Sequence, residues 1–248
     1  LEPNLIDAHN NLGIALQEQG DLTAAIASYR TALKLEHNLV DAHNNLGAAL
    51  QEQGDLTAAI TCYKTALQLK PNFIAAHYNL GNAFKEQGDL RAAINCYNDA
   101  LQLKNNQPQV HNNLGNALQE QGDLTAAINC YNDALQLNPN YSDAHYNLGN
   151  ALQEQGNLTA AVNSYRTALR LNQNFPDAHN NLGKTLHAKG ELTAALSHHL
   201  RALELDPRHS NATYSIGLLQ ACKGNIQESK CLFHKALNLN QNNTAALF

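Results

Sequence analysis

Apolar residues recur along this chain at helical spacing, and the whole pattern then repeats. The run Asn-Asn-Leu-Gly-x-Ala-Leu-Gln-Glu-Gln-Gly-Asp-Leu-Thr-Ala-Ala-Ile, first met from Asn10 to Ile26, returns from Asn44 to Ile60 and onward with a period of 34. Seven such units fit between Ile6 and Asn243, and positions are numbered here from Ile6 as position 1. In the first unit the early apolar residues are Ala8, Leu12, Ala15 and Leu16. Their spacing of i, i+4, i+7 and i+8 makes one stripe on an α-helix. Gly20 follows, and glycine holds this position in all seven units. It suits the left-handed residue that ends a helix. Asp21 is placed to cap a second helix, where its charge meets the positive helix end. That helix carries Leu22, Ala25, Ile26, Tyr29, Ala32, Leu33 and Leu35 on one face. Pro3, Pro71, Pro139 and Pro207 fall just beyond second helices, where helices stop. The units are therefore 6–39, 40–73, 74–107, 108–141, 142–175, 176–209 and 210–243. Residues 1–5 read as the tail of a preceding repeat and 244–248 as the start of a following one, so both ends look cut from a longer array.

The small residues have packing reasons. Gly13 at position 8 and Ala25 at position 20 let the two helices approach closely, and Ala32 at position 27 lets the next unit nest. Small residues at these places, with Leu12 and Tyr29 between them, resemble the tetratricopeptide repeat (TPR) family along the whole chain. Two departures stand out. Position 4, usually Trp in the family, is His9, His43, His77, His111, His145 and His179. The seventh unit drifts, with Thr213, Ser215, Ile216 and Ser229 in place of the usual residues. The resemblance implies an all-α fold: a right-handed alpha-alpha superhelix, a solenoid of antiparallel helix pairs whose first helices line a concave inner face. Each hairpin then buries its apolar face only against its neighbours.

At 100° per residue, positions 2, 5, 9, 12 and 13 of the first helix point away from the apolar stripe, and position 6 lies on its flank. Position 6 is asparagine in six units: Asn11, Asn45, Asn79, Asn113, Asn147 and Asn181. Asparagine is a mediocre helix former. Its carboxamide both donates and accepts, so it can satisfy a peptide bond without reading side chains. A similar asparagine ladder lines the superhelix of the O-linked N-acetylglucosamine transferases, which this array resembles. Inter-repeat hydrogen bonding, or recent duplication, would also account for the residues. Position 5 alternates asparagine with Tyr78, Tyr146 and Tyr214, one tyrosine in every second unit, which points to growth by doubled two-repeat units. These tyrosines are candidate aromatic contacts or solvated surface residues. Asn82, Asn116 and Asn150 at position 9 add amides to the middle units, where the groove should be best formed.

Charge narrows the partner. The net charge is −5, which argues against nucleic acid or an anionic membrane. Nine acids occupy groove-facing positions: Asp7, Glu18, Asp41, Glu52, Glu86, Glu120, Asp143, Glu154 and Asp177. Only Lys85 and Lys184 oppose them. A protein or peptide that is neutral or basic is the expected partner. No run of apolar residues is long enough to span a membrane.

Signals for chemistry are weak. The chain has no phosphate loop, nucleophile elbow or HExxH motif. The position-4 histidines stand a full repeat apart, so they read as wedges between repeats; His187, His198 and His199 are the one cluster. Cys62, Cys96 and Cys130 recur once per repeat, which marks a packing position in a reduced, cytoplasmic setting. No catalysis, cofactor or metal is expected. Three roles remain: a scaffold holding an extended peptide on its concave face, the substrate-recruiting region of a larger enzyme such as a glycosyltransferase, or an array that stacks end to end with its own copies.

Overall fold

The computed structural model describes residues 3–239, with side chains from Leu5 onward. The supposed start of a following repeat, the last four residues of the seventh unit and Leu1–Glu2 lie outside the described residues. Every regular element among the described residues is an α-helix. The chain divides into two compact units, residues 1–123 and 124–248.

Unit 1 contains α1 (Pro3–Glu18), α2 (Leu22–Leu35), α3 (Val40–Gln53), α4 (Leu56–Leu69), α5 (Ile74–Gln87), α6 (Leu90–Leu103) and α7 (Pro108–Gln121). Unit 2 contains α8 (Leu124–Leu137), α9 (Ser142–Glu154), α10 (Leu158–Leu171), α11 (Pro176–Ala188), α12 (Leu192–Leu205), α13 (Ser210–Cys222) and α14 (Ile226–Leu239). Within each unit consecutive helices pack against each other, and each first helix also touches the first helix of the next hairpin. This is the all-α stacking of antiparallel helix pairs that the period implies. Residues 3–5 are helical and continuous with α1.

The hairpin turns follow from their residues. Gly20, Gly54, Gly88, Gly122, Gly156, Gly190 and Gly224 all adopt positive φ, between 81° and 94°. Side chains of Asp21, Asp55 and Asp89 accept from the N–H three residues on, each at 3.0 Å. Between the helices of a pair, a glycine faces a buried ring. A Cβ on Gly47 would sit 2.6 Å from Tyr63 Cε1, so only glycine permits this approach. Tyr29, Tyr63, Tyr97 and Tyr165 are all essentially buried in this way.

The position-4 histidines act as clasps. Nε2 of His43, His77, His111 and His145 donates to a carbonyl six residues earlier, at 2.8–3.0 Å. Each therefore ties its helix to the loop that precedes it. No disulfide joins the cysteines among the described residues; Cys96 is buried, and burial pushes its pKa up to about 11.

Candidate functional site

The position-6 asparagines lie where successive first helices meet. Asn45, Asn79, Asn113, Asn147 and Asn181 are half-buried, while Asn11 on α1 is exposed. Asn45, Asn79, Asn113 and Asn181 reach back to the preceding repeat. Asn45 Nδ2 donates to Asn10 Oδ1 at 3.3 Å, and Asn79 Nδ2 donates to Asn44 Oδ1 at 3.0 Å. Where tyrosine holds position 5, the partner changes. Asn113 Nδ2 donates to the Tyr78 hydroxyl at 3.1 Å and to Asn82 Oδ1 at 3.0 Å. Asn82 Oδ1 also accepts from Tyr97 at 2.7 Å.

Unit 2 repeats that arrangement. Asn181 Nδ2 donates to the Tyr146 hydroxyl at 3.1 Å and to Asn150 Oδ1 at 2.9 Å, while Tyr165 donates to Asn150 at 2.8 Å. The two-repeat doubling seen in the sequence is thus a doubling of a hydrogen-bonded network. Burial raises the hydroxyl pKa of Tyr146, so it stays protonated and able to donate at neutral pH. Asn116 and Asn147 are half-buried with partners of their own. Tyr214 packs on Phe233 with ring centroids 5.4 Å apart.

Position 5 departs from the helical-wheel expectation. Asn44, Asn112 and Asn180 are 9%, 4% and 1% exposed, so they do not face open solvent. The wheel treats the helix alone, whereas α5 packs against α3 and α13 against α11. At Asn10, Asn44, Tyr78 and Tyr146 position 5 accepts from the next repeat's amide, whereas Asn180 accepts from His199. The inter-repeat bonding that competed with the ladder reading is present, and it holds the position-6 side chains in place.

All nine groove-position carboxylates are exposed, whereas Lys85 and Lys184 are half-buried. Lys85 stands 3.8 Å from Glu120, and burial lowers the Lys184 pKa. A second row of inter-repeat bonds, unforeseen in the sequence, joins positions 12 and 13: Gln17 to Glu52 at 3.1 Å and Gln51 to Glu86 at 2.7 Å. Its signal was the repeated Gln-Glu pair. No group of three metal-ligating side chains gathers among the described residues. No helix among them is long and apolar enough to cross a membrane.

The model described as "TPR repeat" matches residues 15–54, 51–88, 81–122, 116–156 and 150–190, and that described as "Tetratricopeptide repeat" matches 178–211. Comparison with curated proteins gives no match. Among solved structures, a tetratricopeptide repeat protein from Parabacteroides merdae is 16% identical over 98% of this chain and 96% of its own, with a TM-score of 0.78. MamA is 26% identical over 66% of this chain and 95% of its own, at 0.61. YrrB, described as a TPR protein with an unusual peptide-binding site, is 23% identical over 74% of this chain and 95% of its own, also at 0.61.

Proposed function

This chain belongs to the tetratricopeptide repeat family, and from that premise we propose that it holds an extended segment of a partner protein along its first helices. The observation that carries this reading is the row of half-buried position-6 amides, anchored through their N–H groups to the preceding repeat. An anchored amide loses little side-chain entropy on binding, which favours affinity. Asn79 commits one N–H to Asn44, leaving its carbonyl oxygen and second N–H for a peptide group. Packed helices stand about 8–10 Å apart. An extended chain rises about 3.3 Å per residue, so each repeat meets roughly three ligand residues. Exposed carboxylates beside the row favour a neutral or basic segment over an acidic one.

The test uses dodecapeptides selected from a random phage-displayed library on the intact chain. Replacing Asn79, Asn113 and Asn147 together by Ala should weaken the selected peptides at least about tenfold, with helicity retained. Unchanged affinity in a folded triple variant removes the ladder. Calorimetry at two salt concentrations checks the charge preference: basic peptides should weaken as salt rises.

A second reading has its own support. Leu5, Leu12 and Ile14 on α1 are 49%, 48% and 39% exposed, whereas Leu46, at the same repeat position as Leu12, is 6% exposed. A second copy of this chain stacked on α1 would cover such a face, as would a further repeat. Light scattering over a range of protein concentrations decides it, since a mass that stays monomeric removes the stacking.

A further inference from the structure

Position 34, the residue that precedes each next first helix, is Leu39, Phe73, Tyr141, Phe175 and His209 in five of the first six repeats. In the third repeat it is Gln107. A cavity of about 430 Å³ opens there, lined by Ile74, Ala75, Tyr78, Lys104, Gln107 and Val110, with Gln109 also on its edge. That volume lies within the range of roughly 300–1,000 Å³ common for small-ligand sites.

The fifth repeat contains the same corner, closed. There Phe175 lies against Tyr146, ring centroids 4.7 Å apart, and Tyr146 corresponds to Tyr78. The backbones match as well. Gln107 has φ −122° and ψ 88°, Phe175 has φ −124° and ψ 85°, and each precedes a proline that opens the next helix. Other position-34 residues differ, as at Phe73 with φ −85° and ψ 93°. The walls differ in a complementary sense. Ile74, Ala75 and Val110 stand where the fifth corner has Ser142, Asp143 and Ala178. The open corner is thus the more apolar, and it lacks the ring that fills its counterpart.

We infer that the corner between α5 and α7 is a socket for one aromatic side chain of a bound peptide, which would stack on Tyr78 as Phe175 stacks on Tyr146. This deepens the peptide-holding reading and rests on it. The protein's own Phe175 identifies the occupant, because a matching backbone with a phenyl ring satisfies the same tyrosine face. Aromatic pairs prefer tilted or offset geometry at this separation, and the 40° interplanar angle of the internal pair fits that preference. A buried aromatic anchor would also fix the register of an extended chain that the amides hold without reading its side chains. Lys104 at the edge adds a cation beside the entering ring.

The experiment is a methyl NMR titration of the intact chain with acetyl-phenylalanine-amide, with acetyl-glycine-amide as the comparison. Ring current should shift the Ile74 and Val110 methyl resonances in a saturable way with the phenylalanine compound and leave them unmoved with the glycine one. Gln107→Phe should abolish the shift by filling the socket from within, and Gln107→Ala should preserve it. Methyls that never respond, or a response undiminished in a folded Gln107→Phe, overturn the socket. If Gln107→Phe does not fold, the contrast between the two compounds on the wild-type chain decides. A capped single residue is too short to engage the row of amides. Its failure therefore removes the socket alone, while loss of the ladder in the selected-peptide test leaves these shifts intact.

Discussion

Tyr165 and His199 stand at the same position in successive hairpins of unit 2, each pressed against a glycine of its own first helix. A Cβ on Gly149 would lie 2.6 Å from Tyr165 Cε1, and one on Gly183 would lie 2.7 Å from His199 Cε1. Both side chains are fully buried. Their polar atoms fare differently. The Tyr165 hydroxyl lies 2.8 Å from Asn150 Oδ1 and 2.9 Å from Gln153 Oε1, with its proton shared between the two acceptors. His199 Nδ1 donates to Asn180 at 3.0 Å, but Nε2 is buried with no hydrogen-bond partner. Shape is therefore copied from repeat to repeat more faithfully than polar satisfaction. The imidazole keeps the contact with glycine and bonds Asn180, while the amides that the phenol reaches, Asn150 and Gln153, are replaced in the sixth repeat by Lys184 and His187.

That difference makes the sixth hairpin acid-sensitive. Burial, reinforced by the charges of Lys184, His187, His198 and His209, lowers the His199 pKa from 6.5 to about 4. Burial also lowers His198 and His179, whose Nδ1 atoms lie 3.1 Å apart and share one proton. A base whose folded pKa is depressed binds fewer protons folded than unfolded as pH falls through the interval. Stability contributed by His199 is therefore intact above about pH 6.5 and is lost progressively down to about pH 4. At 1.36 kcal/mol per pKa unit the loss from this residue amounts to roughly 3 kcal/mol. Hydrogen exchange of α11 and α12 amides against pH measures it. His199→Tyr should flatten the acid limb in those helices, and an unchanged limb would sink the assignment.

Gly149→Ala forces a methyl into the Tyr165 ring, which is buried and cannot retreat, so overpacking should cost about 2 kcal/mol. Gly156→Ala meets no atom within 4 Å but must hold φ near +87°, and should cost about 1 kcal/mol from backbone strain alone. Urea unfolding of the two variants checks the order. Equal costs would mean that the ring moves aside, and the ring–glycine contact would then not be what defines the hairpin.

Much of this was legible in the chain. The apolar stripe, the left-handed glycines and the aspartate caps are local features, and a period of 34 carries them through the array. The sequence also marked the doubled network, because Tyr78 and Tyr146 stand two repeats apart and Asn82 and Asn150 match them. What stayed hidden depended on a neighbouring hairpin. A helical wheel holds no second helix, so it could not bury Asn180 or assign Asn44 as the acceptor for Asn79. The histidine clasps needed the loop geometry. The open corner at Gln107 was visible as the one carboxamide among position-34 side chains of the first six repeats, but only the ring of Phe175 on Tyr146 gave that difference a meaning.

The smallest effect tests whether the polar half of the comparison matters for the fold or for the groove. Tyr165→Phe keeps the ring and removes the hydroxyl, so the glycine contact survives. Asn150 Oδ1 still accepts from Asn181 at 2.9 Å, and Gln153 Oε1 keeps the Thr185 hydroxyl at 2.9 Å, whose proton it shares with the Asn181 carbonyl at 2.7 Å. Each acceptor keeps a donor within reach, so the loss should approach the net value of one hydrogen bond, about 1 kcal/mol. The consequence for the groove differs in kind. Tyr165 and Asn181 converge on the same Asn150 oxygen, so removing the hydroxyl loosens an anchor of the position-6 amide without touching the amide itself. Affinity for peptides that span α9 and α11 should then fall by a small factor while urea unfolding barely moves. A variant that loses stability and keeps affinity would show that the hydroxyl serves the core alone, and that the amides need no anchoring to hold a chain.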